Sequence, residues 1–391
     1  MTTEYLSKRT EPVAYSRILA GLTIRQSLLA RTPPKETEAM EETVPLLPAG
    51  VKAGRYSINP PLIKPSRLTT KKEGGIGKEL SNGWALNFAV GCTHACVFCY
   101  VDSIHKRYGE NRYGDIIKER WGNYFLTPSN IDEAIEMTPW SKWRGQEVIM
   151  SSTHDPYLHQ LSKIARRLLE VSLPAGVRFC IQTRSPLVTK DFGLLSEYRK
   201  NIRVQISLAT MENAFSRLIE PRVASPQARL DVIRRAKDVG LKVGVIVAPV
   251  FPAVPQRPDI KSDLEAIMTE LETLRPDHIY GECLHVRGEN MTLIEEALGS
   301  GLGRLDVFDT KAGEIFHSLL AKHKLKGTWW PEHGRRAPQA ASGARGEAAV
   351  GRRRRATAVG APRAPVLDRP VDSPAAQRHA VNVDQVASHP Y

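Results

Sequence analysis

Cysteine is scarce in this chain, at five in 391 residues. That is too few for a secreted disulfide framework, and Cys92, Cys96 and Cys99 fall within eight positions, where a framework would spread them. Long apolar runs are missing too. Hydrophobic residues make up 41% of the chain, yet no stretch approaches the roughly 18 uninterrupted apolar residues of a membrane span. The expectation is a soluble protein with no membrane partner, resident in the cytoplasm with its thiols reduced. Arg9, Arg17, Arg25 and Arg31 suggest a transit peptide, but Glu4 and Glu11 interrupt the series and no signal-type apolar core accompanies it.

Large apolar side chains become rare after about Arg335, where the composition turns to Ala, Pro, Gly and Arg. Such a segment cannot bury enough surface to offset the entropy of ordering it, so residues 331–391 are expected to form a disordered tail. The net charge of +13 ordinarily points to nucleic acid or another anionic partner. Its distribution weakens that inference. After Gly334, Arg335, Arg336, Arg345, the run Arg352 to Arg355, Arg363, Arg369 and Arg378 face only Glu347, Asp368, Asp372 and Asp384, so six of the thirteen charges sit beyond that glycine.

Residues 1–80 read as a partly irregular N-terminal extension. Tyr15 to Arg31 suits a short helix through Ile18, Leu19, Leu22 and Leu29, while Pro33-Pro34 and Pro60-Pro61 mark extended connections. Between Trp84 and Trp330 short β-branched runs alternate with amphipathic stretches, the pattern of repeated βα units, and residues 81–330 are taken as the α/β core. Six strands are expected: Trp84–Val90, Glu147–Ser151, Val177–Gln182, Ile202–Ser207, Lys242–Val247 and His278–Glu282. Helices are expected at Leu161–Val171 and Pro226–Val239, the second ended by Gly240. Right-handed crossovers either close such strands into a barrel or spread them into an open sheet, and periodicity does not separate the two. In both cases chemistry belongs at the C-terminal ends of the strands.

Gly91-Cys92-Thr93-His94-Ala95-Cys96-Val97-Phe98-Cys99-Tyr100 follows the first expected strand at that end. Three thiolates can hold three irons of a cubane cluster and leave the fourth iron open, whereas an electron-carrying cluster is usually closed by four. The alternative is a structural zinc site in which His94 or a distant residue joins the three thiols. His94, between two ligands in a tight loop, is an awkward fourth. A closed cluster needs another thiol, and only Cys180 and Cys283 remain, each inside or ending an expected strand.

The C-x3-C-x2-C spacing with an aromatic residue before the last cysteine resembles the signature of the radical S-adenosylmethionine (radical SAM) superfamily. Within it, Gly91 to Tyr100, Thr153-His154-Asp155-Pro156-Tyr157 and Thr183-Arg184-Ser185-Pro186 resemble the spore photoproduct lyase-like (SplB-type) proteins, over roughly Trp84 to Asn290. The resemblance implies a partial (β/α)6 barrel with Cys92, Cys96 and Cys99 holding a 4Fe-4S cluster. The open iron then chelates S-adenosylmethionine by its amino and carboxylate groups. Reductive cleavage yields methionine and a 5′-deoxyadenosyl radical for hydrogen abstraction. It further implies a flavodoxin- or ferredoxin-type electron donor, a monomer or weak dimer, and nucleic acid among the candidate substrates.

The same resemblance suggests cofactor-binding roles. Phe98 would lie near the adenine. Ser152 and Asp155 would lie near the amino group, although an Asp before Pro156 also reads as a helix cap. Arg184, where the family commonly has lysine, would meet the carboxylate, against the alternative of a solvated cation or an ion pair at the barrel mouth. Ser207 resembles a polar cofactor contact, with a backbone-bonded buried serine as the other reading. Arg222 would approach cofactor or substrate unless it is a surface loop arginine. Pro249, Pro252, Glu282, His285, Arg287 and Asn290 complete a polar rim suited to substrate.

The lyases proper use a further cysteine after the cluster motif as hydrogen-atom donor. This chain has none between Cys99 and Cys180, and Cys180 reads as a small buried core residue. Direct reversal of a thymine lesion is therefore not expected. The competing function class is a metal-stabilised nucleic-acid-binding protein without radical catalysis.

Overall fold

The computed structural model describes residues 47–66, 77–284, 286, 288–299 and 301–330. These belong to one compact unit that begins at Leu47. The expected helix over Tyr15–Arg31, the Pro33-Pro34 connection, His285, Arg287 and the expected disordered tail lie outside the described residues.

The described residues form ten strands: β1 Lys52–Tyr56, β2 Ile63–Pro65, β3 Trp84–Leu86, β4 Tyr124–Pro128, β5 Glu147–Met150, β6 Arg178–Thr183, β7 Ile202–Ser207, β8 Lys242–Val250, β9 His278–Cys283 and β10 Gly327–Trp330. Eight of them form one sheet in the order β10-β9-β8-β7-β6-β5-β3-β2, while β1 and β4 pair separately. From β3 to β10 every neighbour in that sheet is parallel. The six strands expected from the sequence are β3 and β5 to β9.

Strand order decides between barrel and doubly wound sheet. The parallel strands follow one another without reversal, so right-handed crossovers place every helix on the same face. Burial agrees. Helix α2 (Ser162–Ser172) buries Ala165, Leu168, Leu169 and Ser172, and α4 (Pro226–Asp238) buries Leu230, Ile233 and Ala236 among others. The apolar members of that set join Ile202, Val204 and Ile206 in one large core. Each fully buried Leu or Ile there is worth about 1.5–3 kcal/mol. The opposite face carries a separate small cluster of Leu80, Ala85, Ile149, Cys180, Ile246, Ala248 and Tyr280. The sheet is therefore wrapped like a barrel wall, unclosed, with helices outside: a partial barrel.

Local signals explain the element ends. Ser225 caps α4 by accepting from the Ala228 N–H, Pro226 occupies the first turn, and Gly240 follows with φ of 73°. The first strand is shorter than expected. After Leu86 the chain leaves the sheet because the Asn87 side chain turns to Ser151 and Ser152, and Val90 bridges instead to Leu126 of β4. Residues 52–65, read above as part of the N-terminal extension, supply β1 and β2. The second of these pairs antiparallel with β3 and extends the main sheet. Strand β1 leaves little trace in the sequence because it alternates poorly, with Lys52, Ala53 and Arg55 exposed.

The floor of the inner face is polar and sealed. Arg203 of β7 donates to Glu147 at 3.2 Å, to the Tyr280 hydroxyl at 3.4 Å and to the Glu79 carbonyl at 2.7 Å. The segment carrying Glu79 and Leu80 thus closes the N-terminal end of the wall and leaves the C-terminal end for the site.

Candidate active site at the cysteine loop

The cysteine loop joins β3 to helix α1 (Val101–Tyr108). Gly91 has φ of 83°, and a Cβ there would overlap the Tyr124 carbonyl, so glycine lets the loop lie flat on β4. The Val97 N–H donates to the Ile219 carbonyl at 3.0 Å, pinning the loop to the end of helix α3 (Asn213–Ile219). Cys92 and Cys96 are buried and Cys99 is half-buried.

The thiols interact with one another and with one cation. Cys96 feels both Cys92 and Cys99, and Cys99 feels Cys92. Burial, and after it the Asp155 carboxylate, pushes the Cys92 thiol up to about 11. Burial followed by Cys92 pushes Cys99 up to about 12, and burial also holds Cys96 well above the ordinary thiol value. The Arg184 guanidinium opposes all three shifts. Metal binding would reverse them, since ligation requires thiolates and releases their protons. Among the described residues no three His, Cys, Asp or Glu side chains gather around one point as a single metal ion needs. Cys92, Cys96 and Cys99 share one loop, and three thiolates with no fourth beside them are the donor set that a 4Fe-4S cluster with one open iron requires.

Arg184 follows β6 and is bound on several sides. Its Nε donates to Glu220 Oε1 at 2.8 Å, Nη2 reaches the Ala248 carbonyl at 3.4 Å, and the guanidinium carbon lies 5.5 Å from the Phe98 ring centroid. Phe98 also meets Phe251 edge-on at 5.9 Å. Of the two alternatives for Arg184, a solvated cation or an ion pair, the structure has the ion pair: the guanidinium is bonded to Glu220 and also touches a carbonyl and a ring, with 20% of the side chain exposed.

Asp155 is buried and heavily used. It accepts from the Tyr157 N–H at 2.9 Å, the Thr183 hydroxyl at 2.6 Å and the Arg184 N–H at 2.7 Å, and its Oδ2 lies 3.5 Å from His94 Nδ1. No helix begins at Pro156: the nearest, α2, starts at Ser162. The capping alternative is thus replaced by a turn closed on the Tyr157 N–H, and Asp155 ties the ends of β5 and β6 to the cysteine loop. Ser152 faces the same place differently, sharing Asn87 with Ser151 through contacts of 2.8–3.2 Å.

Ser207 ends β7 with its hydroxyl fully buried and without a hydrogen-bond partner among the described residues. The backbone-bonded alternative is not what is seen. Two residues earlier on the same face, both amide atoms of buried Gln205 also lack partners. Gln205 sits opposite Gly244 of β8, where any Cβ would overlap the amide. Unpartnered buried polar groups are rare and mark a place where water or ligand completes the bonding. Sequence reading missed Gln205, although its period-two relation to Ser207 was available. It also missed Glu220 and Arg229, which pair at 2.6 Å with both side chains fully buried.

Arg222 is placed elsewhere. It is exposed and donates to the Gly122 carbonyl at 2.6 Å and to Asn123 Oδ1 at 3.2 Å, bordering a cleft of about 260 Å³ with Ala95, Val97, Arg120 and Trp121. Its exposure and its bonds to residues 122 and 123 agree with the surface-loop alternative, and the cleft it borders also touches Ala95 and Val97 of the cysteine loop. Of the expected polar rim, Asn290 donates to the Phe98 carbonyl at 3.1 Å, while Pro249 and Pro252 flank the turn after β8, where Arg257 holds the Pro252 carbonyl at 3.0 Å. Cys180 and Cys283 are buried, as core residues should be.

A family model for the radical SAM superfamily matches residues 86–275, which contain the three cysteines, Arg184 and Ser207. The chain belongs to the radical SAM superfamily. Members of it use a 4Fe-4S cluster and S-adenosylmethionine, and they are enzymes that require a reductant. The chain is 57% identical over 282 residues to an uncharacterized protein of Acidianus two-tailed virus, covering 72% of this chain and 94% of the relative. An uncharacterized protein of Methanocaldococcus jannaschii is 26% identical over 171 residues, covering 43% of this chain and 61% of the relative. Among solved structures, a spore photoproduct lyase variant with bound AdoMet and dinucleoside spore photoproduct superposes with a TM-score of 0.51 at 15% identity, covering 82% and 96% of the two chains. That likeness is one of fold. In this radical SAM protein the cysteine loop, Arg184 and the unpartnered polar atoms of β7 share the C-terminal end of one parallel sheet. No helix among the described residues is long and apolar enough to cross a membrane.

Proposed function

We propose that this protein reductively cleaves S-adenosylmethionine at a 4Fe-4S cluster held by Cys92, Cys96 and Cys99, for hydrogen abstraction from a substrate, with nucleic acid the first substrate class to test. The observation that carries the reading is the meeting, on one loop, of three thiols that all lie in the field of the Arg184 guanidinium, itself paired with buried Glu220. When bound, the cluster supplies the electron that splits the cofactor into methionine and a 5′-deoxyadenosyl radical, the electron coming from a low-potential donor of flavodoxin or ferredoxin type.

The protein's own residues bind, orient and exclude water. Arg184 offers a fixed cation to the cofactor carboxylate, and its contact with Phe98 fixes the direction of the planar fork. Phe98 and Phe251 form an apolar wall at the place proposed for the adenine. Ser152, held through Asn87, and Ser207, with its unpartnered hydroxyl, are proposed as polar contacts. Asp155 acts by holding the backbone of Arg184 and the side chain of Thr183, since three donors already occupy its oxygens. Burial of the loop limits access of water to a reactive product.

Anaerobic reconstitution tests the reading. A protein with four irons and four sulfides that, reduced with dithionite, releases 5′-deoxyadenosine supports it. Stoichiometric zinc with no cleavage rejects it in favour of a metal-stabilised binding protein. Deuterium transfer from labelled nucleic acid into 5′-deoxyadenosine then tests the substrate class.

A further inference from the structure

Glu220 is the most enclosed carboxylate near the site, and no role above uses it. It lies at the C-terminus of α3, directly after Ile219, whose carbonyl accepts the Val97 N–H of the cysteine loop. One oxygen binds Arg184 at 2.8 Å and the other binds Arg229 at 2.6 Å. Arg229, from α4, is itself fully buried; it donates to the Ser207 carbonyl at 3.0 Å and to Ser216 Oγ at 3.2 Å. A continuous charged chain thus runs from the end of β7 through Arg229 and Glu220 to Arg184 and the Phe98 ring.

Burying three charges in this way is costly unless each is paired and hydrogen-bonded, and replacement by apolar residues would often serve stability as well. Stability alone therefore gives little reason for the arrangement, whereas geometry gives one. Residues 219 and 220 act on two parts of the site at once: the carbonyl of the first fixes the cysteine loop, and the carboxylate of the second fixes the guanidinium facing that loop. Burial works to neutralise Glu220, but the guanidiniums of Arg229 and Arg184 hold its carboxyl below the ordinary value, so the anion persists.

We propose that Glu220 is a positioning residue that sets the spacing and direction of Arg184 relative to the cysteine loop, and thereby the affinity of the site for the carboxylate end of S-adenosylmethionine. This rests on the reading of Arg184 given under the proposed function. Glu220 touches no ligand itself. It differs from a generic buried ion pair in having one arm directed to the cofactor's partner and the other to the strand end that carries Ser207.

The test is a double-mutant cycle on the reconstituted protein, read by equilibrium binding of S-adenosylmethionine and by the change it causes in the electron paramagnetic resonance of the reduced cluster. Glu220→Gln is expected to weaken binding about tenfold, the loss of one charge-assisted contact, with iron content unchanged. In an Arg184→Ala background the same substitution is expected to have less than a twofold effect, because the guanidinium that Glu220 positions is gone. Should Glu220→Gln fail to fold, Glu220→Asp keeps the charge on a side chain one methylene shorter, which cannot span both guanidiniums, and the same tenfold loss is expected. Wild-type affinity in either folded variant, or full additivity with Arg184→Ala, would overturn the proposal. If wild-type protein binds no S-adenosylmethionine, the proposed function itself fails, and the two failures are distinct.

Discussion

The guanidinium of Arg184 stands 5.5 Å from the centre of the Phe98 ring, so a residue at the end of β6 faces one from inside the cysteine motif. A cation over an aromatic face is held by the ring quadrupole, more strongly when both are shielded from water. The contact fixes where a carboxylate can be met relative to the thiols. Arg184→Ala is expected to lower S-adenosylmethionine affinity by about tenfold to a hundredfold, the range for a lost hydrogen bond to a charged group. Arg184→Lys is expected to recover only part of it, because an ammonium lacks the planar fork. Isothermal titration against the reconstituted protein measures both, and equal affinity in all three proteins would remove Arg184 from the site.

Cysteine substitutions separate ligands from core. Cys96→Ala is expected to lose most of the iron, because a cubane with two protein thiolates is open at two corners. Cys283→Ala is expected to keep it, since that thiol is buried at the end of β9 and lies outside the triad. Iron and sulfide assays on both variants decide the matter. Equal loss in both would show that the ligand assignment is wrong.

Much of this was legible in the sequence, and the parts that were not share a cause. The six core strands were readable because each is a short β-branched run between helical stretches. The cysteine loop was readable because its spacing is local. Strand β1 was not, because three of its five residues are exposed and it pairs with β4, some seventy positions away. Asp155 before Pro156 gave a misleading helix start: its donors come from Thr183 and Arg184, across the sheet, and local rules do not see them. Glu220 and Arg229 were invisible for the same reason, since nothing local marks a charged residue as fully buried. Arg222 was named from similarity to a family pattern, and only tertiary contacts show that it is exposed and tied to residues 122 and 123.

Gln205 allows a prediction in which stability and binding move in opposite directions. Its amide is buried with neither atom partnered among the described residues, and leaving such a group unsatisfied costs about 1–3 kcal/mol. Gln205→Leu keeps much of the volume and removes the polar atoms. The ligand-free protein is therefore expected to melt at higher temperature, while the additional rise in Tm on adding S-adenosylmethionine shrinks. A variant in which both quantities fall together would mean that the amide is satisfied by internal water and serves the fold alone.

Acid sensitivity should trace to histidines that burial holds below their ordinary value, His105 and His154 most strongly, with His94 and His278 shifted the same way. Burial holds His105 down at about 4 and, with His105 as a lesser cause, His154 down at about 3. An unfolded histidine titrates near 6.5, so above that value both states are neutral and the residues have no effect on the pH dependence. As pH falls below about 6.5 the unfolded chain takes up protons that the folded chain refuses, and stability declines by up to about 1.4 kcal/mol per pH unit for each histidine. The decline ends only when the folded forms also titrate, near 4 for His105 and 3 for His154. Urea midpoints measured on the metal-free protein at pH 7, 6 and 5 should therefore fall most steeply between the last two. His105 bonds the Tyr124 hydroxyl at 3.1 Å, so His105→Gln keeps a partner for that group while removing the titration. That variant is expected to lose a measurable share of the pH dependence in this window, and an unchanged profile would assign the acid sensitivity to other groups.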